Sequence, residues 1–463
     1  MRPVKPIVKR LAFGLFGFVL IWTSVWLVGY RWGFTPLPKP PSGVRIKPLL
    51  PPLARKDLTA DNGASYYVKA ADLVRAYKQS KESKEQSEAV LEGDFSKGTN
   101  AIKQTLMDCR AALDLGLAGS KANFCQMPLV TETPDSAFLG GLRALARLIL
   151  VDGKLAQEAG DPGRAITDYL TVVKLGTDCS RGGALIQSLV GVAIVDMGAR
   201  ATRAWVLRPA TAREPLAGIR ETLSSISQGR VAYPETLRDE LEYEKREFSR
   251  QLLAEAGPWG AVLWSKRVSD RCLEAALGDL IQESDKPYWE TDTRKITKKW
   301  DPEERRGLDA LNRPGQRILI AMILPAIEDS RKRVVRSELD LTATEIICAL
   351  KTYALTHGFP PERLDELVPD LLPAILIDPF DGKPLRYRRD GKEWVLWSVG
   401  SDLKDDKAAW HEYKYRKPGE DRKGGDIYFK STEPQDDLAF YRSQQEVKSS
   451  RPARSDSSPT AAP

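Results

Sequence analysis

Ala156-Gln157-Glu158-Ala159-Gly160-Asp161-Pro162-Gly163-Arg164-Ala165-Ile166-Thr167-Asp168-Tyr169 is the stretch on which the fold of this chain turns. Upstream of it Leu142, Leu145, Leu148, Ile149 and Leu155 recur at the helical period, which predicts a helix ending at Gly160. Asp161 followed by Pro162 is an N-cap with proline at the first helical position, so a second helix starts there at once. That helix carries Ala165, Tyr169, Leu170, Val173 and Leu175 and is expected to stop at Gly176. A third, residues 184–206, is apolar over much of its surface through Leu185, Ile186, Leu189, Val190, Val192 and Ile194, and is predicted to be the buried one.

The same periodicity extends outward over residues 61–310, read as one helical domain. Tyr66, Tyr67, Ala70, Ala71 and Leu73 open it, and Ile102, Leu106, Cys109 and Leu113 repeat at three and four. Residues 238–255 form a charged helix with Glu240, Glu244 and Glu247 on one face. Clustered glutamates suit a di-metal centre, but no Glu-x-x-His motif accompanies them. The expectation is a solvated face crossed by pairs such as Glu242 with Arg246. Residues 286–304, with Tyr288, Trp289 and Trp300, read as a polar, irregular surface excursion. Helical periodicity returns over residues 316–356. Its apolar start, 318–327, contains Pro325 and is too short to span a bilayer, which fits a core segment or a bent helix.

The N-terminus gives an address. Residues 11–30 are an apolar run with no ionisable side chain except Tyr30, and at about 1.5 Å per residue they reach about 30 Å, a bilayer core. Arg2, Lys5, Lys9 and Arg10 precede the run, which places residues 1–10 in the cytoplasm by the positive-inside bias. Trp26, Tyr30 and Trp32 mark the far interface. The run ends without small residues of a cleavage site, so an uncleaved single-pass anchor is expected, with the bulk outside the cytoplasm of a bacterial inner membrane. Residues 31–60 are rich in proline and read as a semi-rigid spacer.

Charge agrees with that address. The net charge is +7, yet residues 1–56 hold ten Lys and Arg and no acid. Taking those ten from 70 leaves 60 bases against 63 acids, a net of −3 for the rest. The basic excess therefore flanks the membrane segment, and nucleic acid is not an expected partner. The five cysteines, Cys109, Cys125, Cys179, Cys272 and Cys348, include no CxxC. A Cys109–Cys125 disulfide and buried free thiols are both compatible with their spacing.

After His357-Gly358 the character changes. His357 sits where an imidazole would complement a helix C-terminus. Asp378-Pro379-Phe380-Asp381-Gly382-Lys383 is turn chemistry. Residues 385–389 and 393–399 are extended runs joined by Asp390-Gly391, a strong hairpin signal, and Asp426-Ile427-Tyr428-Phe429 offers a third strand. A long helix, a proline-bearing loop and a small antiparallel sheet over 311–430 make an α+β unit. Residues 431–463 are polar and expected to be disordered.

Ala349-Leu350 through Tyr353, Gly358-Phe359-Pro360, Leu364 to Leu367, Asp378-Pro379-Phe380, Gly382-Lys383-Pro384-Leu385 with Tyr387, Ser398-Val399-Gly400-Ser401-Asp402 and Asp426-Ile427 together resemble the globular end of the major pseudopilins of type II secretion. The helical part resembles large, uncharacterised bacterial envelope proteins with the same ending, and residues 156–169 resemble part of a tetratricopeptide repeat. Only one such copy is evident, where a solenoid needs at least about three, so an ordinary helical hairpin remains the other reading. The pseudopilin resemblance implies calcium held by Asp402, Asp405, Asp406 and Asp426, since hard cations take carboxylate and carbonyl oxygens. A solvated acidic turn neutralised by Lys404 and Lys407 is the alternative. Leu403 stands where that family tends to have glycine, and the anchor lacks its Gly-Phe-Thr-Leu-Ile-Glu-like start, which points away from polymerisation through the N-terminal helix.

Only two histidines exist, His357 and His411, and no GxSxG, HExxH, GxGxxG or Walker pattern appears. The sequence thus predicts a mainly α protein: a transmembrane helix, an extracytoplasmic helical bundle and a small pseudopilin-like α+β module. The expected function is non-catalytic, an envelope scaffold binding other proteins, among them secretion or pilus components. A carboxylate-dependent extracytoplasmic hydrolase and a calcium-stabilised pseudopilin-like subunit are the rivals.

Overall fold

In the computed structural model the described residues are 20–25, 27–28, 36–129, 137–255, 265–301, 314–408 and 426–431. The expectations for the cytoplasmic tail 1–10, for most of the anchor, for His411 and for the tail beyond Ser431 fall outside them.

Four helices lead up to the decisive joint: α1 (Gly63–Ala76), α2 (Lys81–Leu91), α3 (Asn100–Asp108) and α4 (Arg110–Ser120). The joint itself connects α5 (Ala137–Glu158) to α6 (Pro162–Asp178). Gly160 adopts φ +83°, and the Asp161 side chain accepts from the Arg164 backbone N–H at 3.0 Å, which starts α6. The helix runs on through Gly176, because Gly176 is wanted for packing rather than for termination. A Cβ there would lie 2.6 Å from the Gly191 carbonyl and the Val195 nitrogen of α7 (Leu185–Leu207). Glycines on both helices let the backbones touch, so α6 and α7 pack at close range.

Two hydrophobic cores share one long helix. The larger joins α1 to α7 and α8 (Glu214–Gln228) through side chains such as Tyr67, Phe138, Leu142, Tyr169, Ile194 and Leu223. The smaller joins α9 (Tyr233–Glu255), α10 (Lys266–Ser284) and α11 (Arg294–Trp300) through Leu241, Leu273, Ile281 and Trp300. Helix α12 (Pro314–His357) is 44 residues long, about 66 Å at helical rise, and serves both. Its Ile320, Leu324 and Ile327 lie in the smaller core and its Leu339, Ile346, Ile347 and Leu350 in the larger. Pro325 lies inside α12, so residues 318–327 belong to one continuous helix that puts Ile320, Leu324 and Ile327 into the smaller core. His357 closes it, Nδ1 3.0 Å from the Tyr353 carbonyl, and Gly358 turns the chain at φ +82°.

Strands β1 (Arg386–Asp390), β2 (Glu393–Ser398) and β3 (Ile427–Lys430) form an antiparallel sheet in the order β1-β2-β3. Asp390 pairs with Glu393, so Gly391 and Lys392 make the two-residue turn, with Gly391 at φ +61°. The turn lies one residue later than Asp390-Gly391 suggested, because the positive φ belongs to its first central residue. Leu364, Phe380, Leu396 and Phe429 bring this module into the larger core.

Residues 286–301, the described part of the polar stretch 286–304, are not the irregular excursion that their polarity suggests. They contain a 3-10 turn (Tyr288–Glu290) and α11, whose Ile296 and Trp300 are buried. Tyr288 meets Phe380 edge-on at 5.2 Å, and the Trp289 ring covers Gly382. The aromatic residues thus staple the module to the helical body. The proline-rich segment from residue 36 lies along that body too: Pro40 sits over Gly278, Leu49 N–H donates to Glu235 at 3.1 Å, and Arg45 pairs with Glu235.

Among the described residues one helix is long and apolar enough to cross a membrane, and it is α7, not an N-terminal one. It is 56% buried and packs between α6 and α12 with Gln187, Thr202 and Arg203 among its buried residues, the behaviour of a core helix. Residues 20–25 and 27–28 of the N-terminal run are helical, with Leu20, Ile21 and Trp22 exposed.

Candidate functional site

The aspartates singled out by the sequence sit around β2, but the residue that organises them is Asp378. It is 0% exposed and accepts four hydrogen bonds. Phe380 N–H and Ser398 Oγ donate to Oδ1, both at 2.9 Å, and Val399 N–H and Arg386 Nη1 donate to Oδ2, both at 3.1 Å. Arg386 continues the chain of contacts to Asp381 and, at 3.9 Å, to Asp405. Asp405 in turn accepts from Trp397 Nε1 at 3.0 Å and Lys407 N–H at 2.9 Å, and the indole bond holds its carboxyl below the usual range.

Asp426, at the start of β3, accepts from Ala408 N–H at 2.8 Å and also from the Asp406 backbone. Burial and the charges of Asp405 and Asp406 raise its carboxyl, and its Oδ1 is buried without a partner. Asp402 stands apart, closing a 3-10 turn (Gly400–Asp402) and accepting from Lys404 N–H at 3.2 Å. The structure therefore brings Asp405, Asp406 and Asp426 near one another and leaves Asp402 outside. Among the described residues no group of three or more His, Cys, Asp or Glu is arranged to hold a metal ion. Asp405 accepts from an indole and faces the Arg386 guanidinium at 3.9 Å. The positive φ of Leu403, Lys407 and Ala408 shows a tightly wound loop around them.

The acidic face of α9 overturns an expectation. Glu240, Glu244 and Glu247 are only 7%, 8% and 5% exposed, so the face is not solvated. Glu240 accepts from Leu185 N–H at 2.7 Å, at the positive N-terminal end of α7, and Asp239 accepts from the Gly182 backbone. Burial pushes Asp239 up to about 7, with Glu235 adding to it, and Glu240 up to about 7. Burial together with Glu240 pushes Glu244 up to about 8, and its Oε2 is buried without a partner. These carboxyls exchange protons near neutrality, where surface acids do not. The contacts of α9 with α10 and α7 put this face inward; its sequence alone reads as polar.

A third assembly was invisible in the sequence. Asp152 on α5 and Asp168 on α6 line one small cleft together with Arg110 of α4. Arg164 pairs with Asp152, and Arg110 Nη1 reaches it at 3.4 Å. Burial, and then Asp152, push Asp168 up to about 7. Asp152, flanked by two guanidiniums, thus lies beside Asp168, whose carboxyl burial raises, and two carboxyls in unlike surroundings are an arrangement that general acid–base chemistry uses. No local pattern announces the pair, since its members meet only when α5 packs on α6. All five cysteines are buried and free.

No protein-family model, no curated protein and no solved structure matches this chain.

Proposed function

We propose that this chain is a single-pass, membrane-anchored extracytoplasmic scaffold that binds other envelope proteins, with a C-terminal module on a pseudopilin-like plan. One observation carries the reading: α12 runs through both cores and the module shares the larger, so that bundle and sheet pack on one another through a common core. Packing of this kind leaves the outer helix faces and the sheet edges as surfaces for partners. The anchor rests on the apolar run 11–30 and its basic flank. The order of long helix, Asp378 loop, hairpin and third strand supports the pseudopilin-like plan, and secretion or pilus components are the partners it favours. Proximity labelling in membranes of the native host, with the label fused after Ser431, tests the proposal. Enrichment of secretion or pilus components supports it; labelling no stronger than that of an unfused, membrane-tethered label ends it. Calcium belongs to the pseudopilin-like reading, and melting the full chain in calcium against chelator decides that part.

The second reading, a carboxylate-dependent hydrolase, is favoured by Asp152 and Asp168 alone. Hydrolysis of chromogenic glycosides or esters that disappears in both D152N and D168N would establish it.

A further inference from the structure

A small cleft, partly open to solvent, lies where the end of α6, the first half of α7, the start of α9 and the middle of α12 meet. Its polar lining is Thr177, Ser180, Ser188, Thr236, Ser337 and Arg230, with no acidic side chain among the lining residues. Two of these donors are uncommitted. Ser337 is 2% exposed and its Oγ has no partner. Arg230, its side chain 16% exposed, spends Nη2 on the Val334 carbonyl at 3.4 Å and on Glu338 at 3.6 Å, while Nη1 is buried without a partner. Ser188 Oγ donates to Ser180 Oγ at 3.4 Å, which frees the Ser180 proton. An unmet buried donor is destabilising, and a charged one more so, so several in one cleft call for an acceptor.

The sign of that acceptor follows from the neighbours. Arg181, whose Nη2 donates to the Gly229 carbonyl at 2.7 Å, lies beside Arg230, and Arg331 stands one turn before Val334 on α12 with Nε and Nη1 unpartnered. The opposing charges are Glu338, which is 42% exposed and shares Arg230, and the buried Asp340, which is paired with Arg203 and Arg336. We propose that this cleft binds a small tetrahedral oxyanion of the phosphate class, held by Arg230 through a charge-assisted hydrogen bond and by the hydroxyls of Ser337 and Ser180. The site is independent of the scaffold reading and of the Asp152–Asp168 cleft.

Titration calorimetry of the full chain in detergent, with inorganic phosphate against acetate at matched ionic strength, tests it. Saturable phosphate binding with Kd of about 1 mM or tighter is expected, with acetate at least about tenfold weaker. R230M should weaken phosphate by about tenfold or more, and R230K by less, because it keeps the charge and loses the fork. S337A should weaken binding several-fold while leaving the phosphate-free melting temperature unchanged or higher, since the hydroxyl it removes is unpaired. E338Q, which removes the internal competitor for Arg230, should tighten binding. Absence of saturable phosphate binding overturns the proposal, as does acetate binding equal to phosphate. Wild-type affinity in both S337A and R230K would mean an adventitious ion only, and overturns it too.

Discussion

Replacing Glu244 by Gln should stabilise this protein, and by an amount that grows with pH. Glu244 lies on the inward face of α9 with Oε2 buried and unpartnered, and burial raises its carboxyl from 4.5 to about 8. The folded chain therefore holds this proton more tightly than the unfolded chain does. Its contribution to stability is complete below about pH 4.5 and is lost as pH rises toward 8. At about 1.36 kcal/mol per pH unit, and allowing a unit in the shift, the carboxyl opposes folding by about 3–4 kcal/mol at pH 8. Glutamine has the same shape and no charge, so E244Q escapes that loss. The gain over wild type should be near zero at pH 4.5 and about 3–4 kcal/mol at pH 8. Urea unfolding of the full chain in detergent, followed by tryptophan fluorescence at pH 4.5, 6.5 and 8, measures it. An equal gap at every pH, or a loss at pH 8, would mean that Glu244 is ionised and paired in the folded protein, and the reasoning fails.

Two further outcomes follow from the packing. D378A orphans four donors around a fully buried site and should cost about 3–5 kcal/mol, whereas S398A, which removes one of them, should cost about 1 kcal/mol; equal small effects, read from Trp394 and Trp397 in β2, would refute the central role of Asp378. G176A forces a Cβ within 2.6 Å of backbone atoms of α7 and should cost about 2–3 kcal/mol or more in thermal melts, while the open position Gly218 should accept alanine with no loss.

Much of the fold was legible because it is written locally. The cap Asp161, the proline after it and the apolar repeat set α5, α6 and α7 almost to the residue, and alternating β-rich runs around Gly391 set the hairpin. Gly176 was misread as a stop because glycine ends helices and also lets them touch, and only the partner helix tells which. Residues 286–304 were misread because Tyr288, Trp289 and Trp300 find their partners far away in sequence.

The candidate sites were less legible still. Asp402, Asp405, Asp406 and Asp426 stand out as a cluster in the sequence, yet Arg386 and Trp397 occupy Asp405, while Asp378, eight residues before Arg386, holds the assembly. Glutamates four apart on a charged helix look solvated, and α9 buries them because α7 and α10 cover that face. By itself the sequence determined the helical content, the joints and the strand pairing, since backbone preference and period act over a few residues. The tertiary structure alone decided which acids are buried, which pair and which stand open to a ligand, because a charge takes its energy from whatever packs around it, however distant in the chain.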